Sequence, residues 1–181
     1  ILARRTIDIA VLDGGHDDRA RGTVPRFGVL LPPVQDAELP LLRTIARELD
    51  PDFVIVPAWP NDFDVAKIDS RIAAMREFLD SLLDRRVEPM LAITSVPPAL
   101  AAPRHLDRWQ ALAYFGADDA VSRANLEPWL LAFGQHVERW QIGDVRGEAV
   151  QRPLDRDQAV RIRSMLDERV AGPVQVREDD R

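Results

Sequence analysis

The chain has 181 residues, of which 46% are apolar and 30% charged, and its formal net charge is −6 at pH 7. This length and apolar fraction exclude a disordered chain and fit one ordinary domain with a sizeable core. Lys and Arg number 24 against 30 Asp and Glu, without a basic stripe, so we expect no nucleic-acid partner. No apolar run approaches the ~18 residues of a membrane span. The absence of cysteine excludes disulfides and thiolate metal sites.

Residues 1–25 differ in pattern from the rest and are predicted as a separate N-terminal unit. Ile7 to Leu12 predicts a strand, and a polar loop from Asp13 to Arg19 follows it. Two interpretations stay open for this strand: a lid on the closed end of a barrel, or the last strand of a preceding β-domain. His16 in the loop matches no metal-ligand spacing, so we predict no metal site. Because the chain begins without Met or a signal-peptide pattern, we expect a longer parent protein.

The remaining residues alternate between predicted strands and predicted helices. Short apolar runs without strict alternation are typical of strands buried on both faces of a parallel sheet. These runs are residues 27–31, 53–56, 88–94, 137–142 and 174–176. Apolar residues at three-and-four spacing predict helices over 39–49, over 65–83 with Asp64 as N-cap, twice between 106 and 137 with a break at 116–119, and over 155–170. The pattern predicts an α/β fold of parallel strands joined by helical crossovers.

The spacing of the strands fits two architectures. The strand starts near residues 27, 53, 88, 137 and 174 are separated by 26, 35, 49 and 37 residues. A (β/α)8 barrel uses about 30 residues for each unit. An open doubly wound sheet has units of similar length, so the spacing alone does not choose between them.

One segment carries a specific resemblance. Residues 129–144 read W-L-L-A-F-G-Q-H-V-E-R-W-Q-I-G-D. They resemble the approach to the fourth strand of retaining glycoside hydrolases of the large (β/α)8 clan, in which an amphipathic helix leads to W-x-I-G-N-E. In that family the Asn hydrogen-bonds the sugar 2-hydroxyl, and the Glu is the general acid/base at the carboxyl end of the strand. Residues 26–29 and 87–98 resemble the first and third strands of that barrel.

The resemblance covers residues 26–177, about five of the eight barrel units. It implies a partial TIM-barrel-like domain over residues 26–181, preceded by the extra N-terminal strand. Asp144 stands where the family has Asn, and Val145 stands where it has the acid/base Glu. A valine can neither protonate a leaving oxygen nor activate water. The resemblance therefore implies a binding or accessory barrel domain of a carbohydrate-handling protein, with an oligo- or polysaccharide partner and no cofactor.

Two alternatives stay open. One is an active glycosidase whose acid is Asp144 or Glu148, so both residues are catalytic candidates, and whose nucleophile lies beyond this segment. The other is a complete five-strand doubly wound domain that serves as an interaction or regulatory module. The doubly wound alternative lacks a phosphate-binding glycine loop. The order of the strands in the sheet distinguishes it from the barrel.

Four residues are candidates for substrate binding. Trp59 and Trp140 carry flat aromatic faces that suit the apolar face of a sugar, although core packing is the competing interpretation, above all for Trp140 inside its strand. Asn61 and Ser95 follow the second and third barrel strands, where sites of parallel barrels are built. A partial barrel also leaves an unpaired strand edge, so we expect self-association through that edge or a longer parent protein.

Overall fold

The computed structural model describes residues 10–13, 27–60, 63–108, 110–117, 119–143, 160–162, 164 and 174–176. These residues form a mixed α/β fold built on one six-stranded sheet. The strands are β1 (Ala10–Asp13), β2 (Phe27–Leu30), β3 (Phe53–Pro57), β4 (Glu88–Ile93), β5 (Arg139–Ile142) and β6 (Val174–Val176). The helices are α1 (Leu39–Leu49), α2 (Ile68–Leu83), α3 (Pro98–Ala101), α4 (Ala111–Gly116) and α5 (Ala120–Phe133), and residues 160–162 and 164 are also helical.

The strands lie in the sheet in the order in which they occur in the chain. β1 pairs with β2 antiparallel, and each later strand pairs parallel with the one before it. A doubly wound sheet reverses its strand order at a switch point. The described sheet has no such reversal, so the doubly wound alternative is wrong for these strands. The edge strands of the described sheet are β1 and β6, and self-association through an edge stays a prediction.

The extra N-terminal strand belongs to the main sheet. In β1, Val11 lies opposite Val29 and Leu12 lies opposite Gly28 of β2. β1 is therefore an antiparallel edge strand of the described sheet, while the division of the chain into residues 1–25 and 26–181 stays a prediction. β1 also lies on the edge of β2 with which the last strand of a closed eight-stranded barrel would pair.

The pairing of β1 with β2 predicts a specific cross-link. Because the chain has no cysteine, the double variant Val11→Cys/Val29→Cys should form one intramolecular disulfide under mild oxidation, since directly opposed antiparallel residues have Cα atoms about 4.5–5.5 Å apart. Non-reducing mass spectrometry of the full-length protein measures it. The control is Leu12→Cys/Val29→Cys, whose positions are on opposite faces and should not cross-link. Absence of the disulfide in the first variant would contradict this register of β1 against β2.

Apolar side chains are buried on both faces of the sheet. Val29, Val54, Leu91 and Trp140 belong to the larger core, which the strands form with the helices. The residues that alternate with them form a second cluster on the opposite face, made of Leu30, Ile55, Met90 and Ala92 with Phe53 packed against it. This burial on both faces explains why the strands read as nearly continuous apolar runs.

Most helices lie where the apolar periodicity predicts them. α1 has the predicted bounds and ends at Asp50, whose left-handed φ of 45° closes the helix. Asp64 is the predicted N-cap, and its side chain accepts a hydrogen bond from the Ala66 backbone N–H at 3.1 Å in the 3-10 turn that leads into α2. Periodicity did not predict α3, because four residues are too few to show a helical repeat. Among the described helices, none is long and apolar enough to cross a membrane.

An ion pair fixes the junction between α3, α4 and α5. Asp119 caps α5 by accepting hydrogen bonds from the backbone N–H groups of Val121 and Ser122 at 3.0 and 2.9 Å. The Arg104 guanidinium lies 2.6 Å from the Asp119 carboxylate and 4.6 Å from the centre of the Tyr114 ring. Together with the Ser122 N–H, this guanidinium holds the pKa of Asp119 well below its ordinary value. The ion pair therefore ties together the helices in the long connection between β4 and β5.

Candidate functional site

The carboxyl ends of the parallel strands lie together at one edge of the sheet, which we call the carboxyl edge. One residue past β2, β3 and β5, the backbone N–H still bonds to the neighbouring strand: Leu31 to Ile55 O at 3.0 Å, Ala58 to Ala92 O at 2.8 Å and Gly143 to Ile93 O at 3.0 Å. The loops therefore leave adjacent strands at nearly the same level. Sites in parallel α/β proteins are built from such loops, so this edge is the candidate functional site.

Trp59 lies at the carboxyl edge, but its indole is buried, with 2% of the residue exposed. Its ring stacks with those of Phe63 and Phe115 at centroid distances of 6.1 and 6.3 Å. The Trp129 ring meets it edge-on at 5.8 Å. These three neighbours enclose the indole, which argues against the sugar-platform interpretation of Trp59. It instead joins the carboxyl edge to the helical core.

The structure brings Trp59 and Ser95 together. The Trp59 indole Nε1–H donates a 2.7 Å hydrogen bond to the backbone carbonyl of Ser95, and Ser95 is 2% exposed. Trp59 follows β3, and Ser95 follows β4, so the bond links the two adjacent loops. The Ser95 carbonyl thus accepts a hydrogen bond from within the protein.

Trp140 lies on the helix-covered face of the sheet, opposite the second apolar cluster. It is fully buried in the larger core, where the strands meet the helices. Its Nε1–H donates to the backbone carbonyl of Val137 at 3.0 Å. This position is that of a packing residue, and it argues against direct contact between Trp140 and a sugar.

The other predicted site residues, Asn61, Asp144 and Glu148, lie outside the described residues. The residue before Asp144 is described: Gly143 ends the β5 ladder with a φ of 110°. Residues with a side chain rarely adopt this φ, so glycine is required where the chain turns away from β5. The sequence places Asp144 directly after this turn.

Arg71 of α2 contributes a buried cation to the carboxyl edge. Its Nε–H donates to the Ala58 carbonyl at 3.1 Å, and its Nη1–H donates to Asp36 Oδ1 at 2.6 Å. The side chain of Arg71 is 2% exposed, whereas that of Asp36 is 43% exposed. Burial lowers the pKa of Arg71, and the hydrogen bond and charge of Asp36 oppose that effect.

Arg71 and Asp36 were not predicted as site residues, although the sequence carries a signal for Arg71. Arg71 falls on the apolar stripe of α2, between Ile68 and Met75 at three-and-four spacing. An arginine on a buried helical stripe indicates a specific acceptor in the core, because a buried charge needs a partner. No comparable signal marks Asp36, which is one of two acids between β2 and α1.

The described polar groups at the carboxyl edge hold the loops in place. Arg71 and Trp59 direct their donors into neighbouring backbone and into Asp36, and in this network the Asp36 carboxylate is the side chain that reaches solvent. Within the part of the chain that the structure describes, no three His, Asp or Glu side chains are grouped as ligands for a metal ion. The described groups thus tie the loops at the carboxyl edge to one another.

No protein-family model matches the chain, and comparison with curated proteins and with solved structures returns no match.

Proposed function

We propose that this chain forms part of a glycoside-hydrolase-like (β/α) barrel in a carbohydrate-handling protein, and that it binds an oligo- or polysaccharide without hydrolysing it. The ligand would lie at the carboxyl edge, close to Asp144. The roles proposed for Asp144, Glu148 and Asn61 rest on the sequence. The buried residues Trp59, Trp140 and Ser95 would pack in the protein interior behind the site and would not touch the sugar.

The sequential order of the parallel strands supports the barrel architecture in this proposal. Strands that follow one another in order, with their helices packed on one face, are wound in one direction, as in a barrel. The other face holds the apolar cluster of Leu30, Ile55, Met90 and Ala92, and a barrel interior would also be filled by apolar side chains on that face. β1 on the edge of β2 distinguishes this sheet from a barrel closed in the usual way.

The proposal of binding without hydrolysis rests on the residues after β5. The strand Arg139–Ile142 and the turn at Gly143 correspond to the W-x-I-G portion of the motif that it resembles. Val145 then takes the place of the acid/base glutamate. Retaining glycoside hydrolysis needs two carboxyl groups about 5–5.5 Å apart across the glycosidic bond, and a valine supplies neither proton nor charge.

Direct binding and turnover assays on the full-length protein test the proposal. We expect calorimetric titration with cello-, xylo-, manno- and chito-oligosaccharides to detect binding of at least one class, while nitrophenyl glycosides are not hydrolysed. Asp144→Ala should weaken binding at least about 10-fold, the cost of one hydrogen bond between a charged group and a sugar hydroxyl. Asp84→Ala is the matched control, because Asp84 is an exposed acid at the end of α2 and should leave the affinity unchanged.

Each other outcome has a definite meaning. Hydrolysis that is lost in Asp144→Ala or in Glu148→Ala would identify an active glycosidase with a relocated acid, and it would contradict the absence of turnover. Neither binding nor turnover with any of the four classes would overturn the proposal. Equal losses in Asp144→Ala and Asp84→Ala would show that the effect is not local to the carboxyl edge.

A further inference from the structure

Arg71 is the one charged residue that is buried among the described residues, where 1% of it is exposed. Placing a cation in the core is unfavourable unless hydrogen bonds and an opposite charge compensate for lost hydration. Apolar residues occupy the neighbouring buried positions of α2, at Ile72, Met75 and Phe78. An apolar side chain at position 71 would continue this stripe without the desolvation cost, so the arginine is not explained by packing alone.

The two hydrogen bonds that Arg71 donates connect loops that follow different strands. Ala58 directly follows β3, and Asp36 begins the 3-10 turn after β2. The Ala58 N–H is bonded to Ala92 of β4, and the adjacent Trp59 is bonded to the Ser95 carbonyl after β4. Arg71 therefore closes a continuous set of hydrogen bonds across the carboxyl ends of three consecutive parallel strands.

We infer that Arg71, held by Asp36, is a positioning residue that fixes the loops after β2 and β3 relative to each other and so shapes the ligand-binding edge. The planar guanidinium suits this role because it donates in two fixed directions, whereas a lysine ammonium is a single rotating point charge. Because the Asp36 carboxylate is partly exposed, its bond to Arg71 also fixes the surface of the loop after β2. The loop-fixing part of this inference stands on the structure, and its effect on binding rests on the proposed function.

Amide hydrogen exchange in the full-length protein tests the loop-fixing part without any ligand. In Arg71→Lys and in Asp36→Asn, the amides of residues 34–38 and 58–59 should exchange at least about 10-fold faster, because losing a hydrogen bond to a charged group makes local opening easier. Exchange within α1 should be unchanged. Arg43→Lys is the matched control, since Arg43 forms a partly exposed ion pair with Glu77 at 2.9 Å that joins α1 to α2.

Titration with the oligosaccharide panel tests the effect on binding. Arg71→Lys and Asp36→Asn should each weaken binding about 10-fold at a temperature where the variants are fully folded. The packing variant Ile72→Ala lowers stability from the next position of α2 and should leave the affinity unchanged. Equal affinity losses in Ile72→Ala and Arg71→Lys would reduce Arg71 to a merely structural residue.

The two tests separate the two proposals. Unchanged exchange of residues 34–38 and 58–59 in both Arg71→Lys and Asp36→Asn would overturn the inference, whatever the protein binds. Faster exchange in these variants, with no oligosaccharide bound by the unmodified protein, would support loop fixing by Arg71 while overturning the proposed carbohydrate function.

Discussion

Replacing Trp59 with alanine should lower the free energy of unfolding by about 3–5 kcal/mol, the range found for truncating large buried aromatic side chains. The expected loss is large because the indole contacts Phe63, Phe115 and Trp129, which belong to different parts of the chain. Its removal also leaves the Ser95 carbonyl without the 2.7 Å hydrogen bond that it accepts. Urea denaturation followed by circular dichroism measures the change.

Two further variants separate ring packing from the hydrogen bond. Trp59→Phe keeps an aromatic ring but removes the indole N–H, so it should cost about 1–3 kcal/mol. Leu131→Ala truncates a side chain that is 75% exposed, and its stability should stay within about 0.5 kcal/mol of the unmodified protein. Near-normal stability of Trp59→Ala, combined with weakened oligosaccharide binding, would instead restore the sugar-platform interpretation.

The strands were predictable because a strand that is buried on both faces of a sheet has a nearly unbroken run of apolar residues. Residues 53–56, for example, predicted a strand that the structure bounds at Phe53–Pro57. The order of the strands was not predictable, since a barrel and a doubly wound sheet use units of similar length. The pairing of β1 was also hidden, because a polar segment separates it from β2 and no local pattern specifies an antiparallel partner.

The surroundings of the side chains at the carboxyl edge were not predictable from the sequence. Trp59 follows a strand and lies between prolines and polar residues, a context typical of an exposed loop. The rings that bury it come from positions 63, 115 and 129, and no single-sequence pattern brings these positions together. Asp36 was equally hidden, because its partner Arg71 is 35 residues away. Long-range pairing, rather than local chemistry, decides which of these side chains remain available to a ligand.

Removing Asp36 should destabilise the protein more than removing Arg71, although Arg71 is the more deeply buried partner. In Asp36→Ala the guanidinium stays buried with only the Ala58 carbonyl as its described partner, and breaking a buried pair in this way costs about 3 kcal/mol. Arg71→Met keeps an unbranched side chain but removes the charge and its desolvation cost. The remaining Asp36 carboxylate is 43% exposed and can be hydrated, so the main loss is the hydrogen bond to the Ala58 carbonyl, about 1 kcal/mol.

The double variant Asp36→Ala/Arg71→Met completes a cycle that isolates the pair. Once Arg71 is absent, Asp36 has no buried charge to compensate, so the double variant should be no more than about 0.5 kcal/mol less stable than Arg71→Met alone. Urea denaturation of the four proteins at pH 7 measures each step. If the two single losses instead added, Asp36 and Arg71 would contribute independently. The loops after β2 and β3 would then be held by their own backbone contacts, and the arginine would have no part in coupling them.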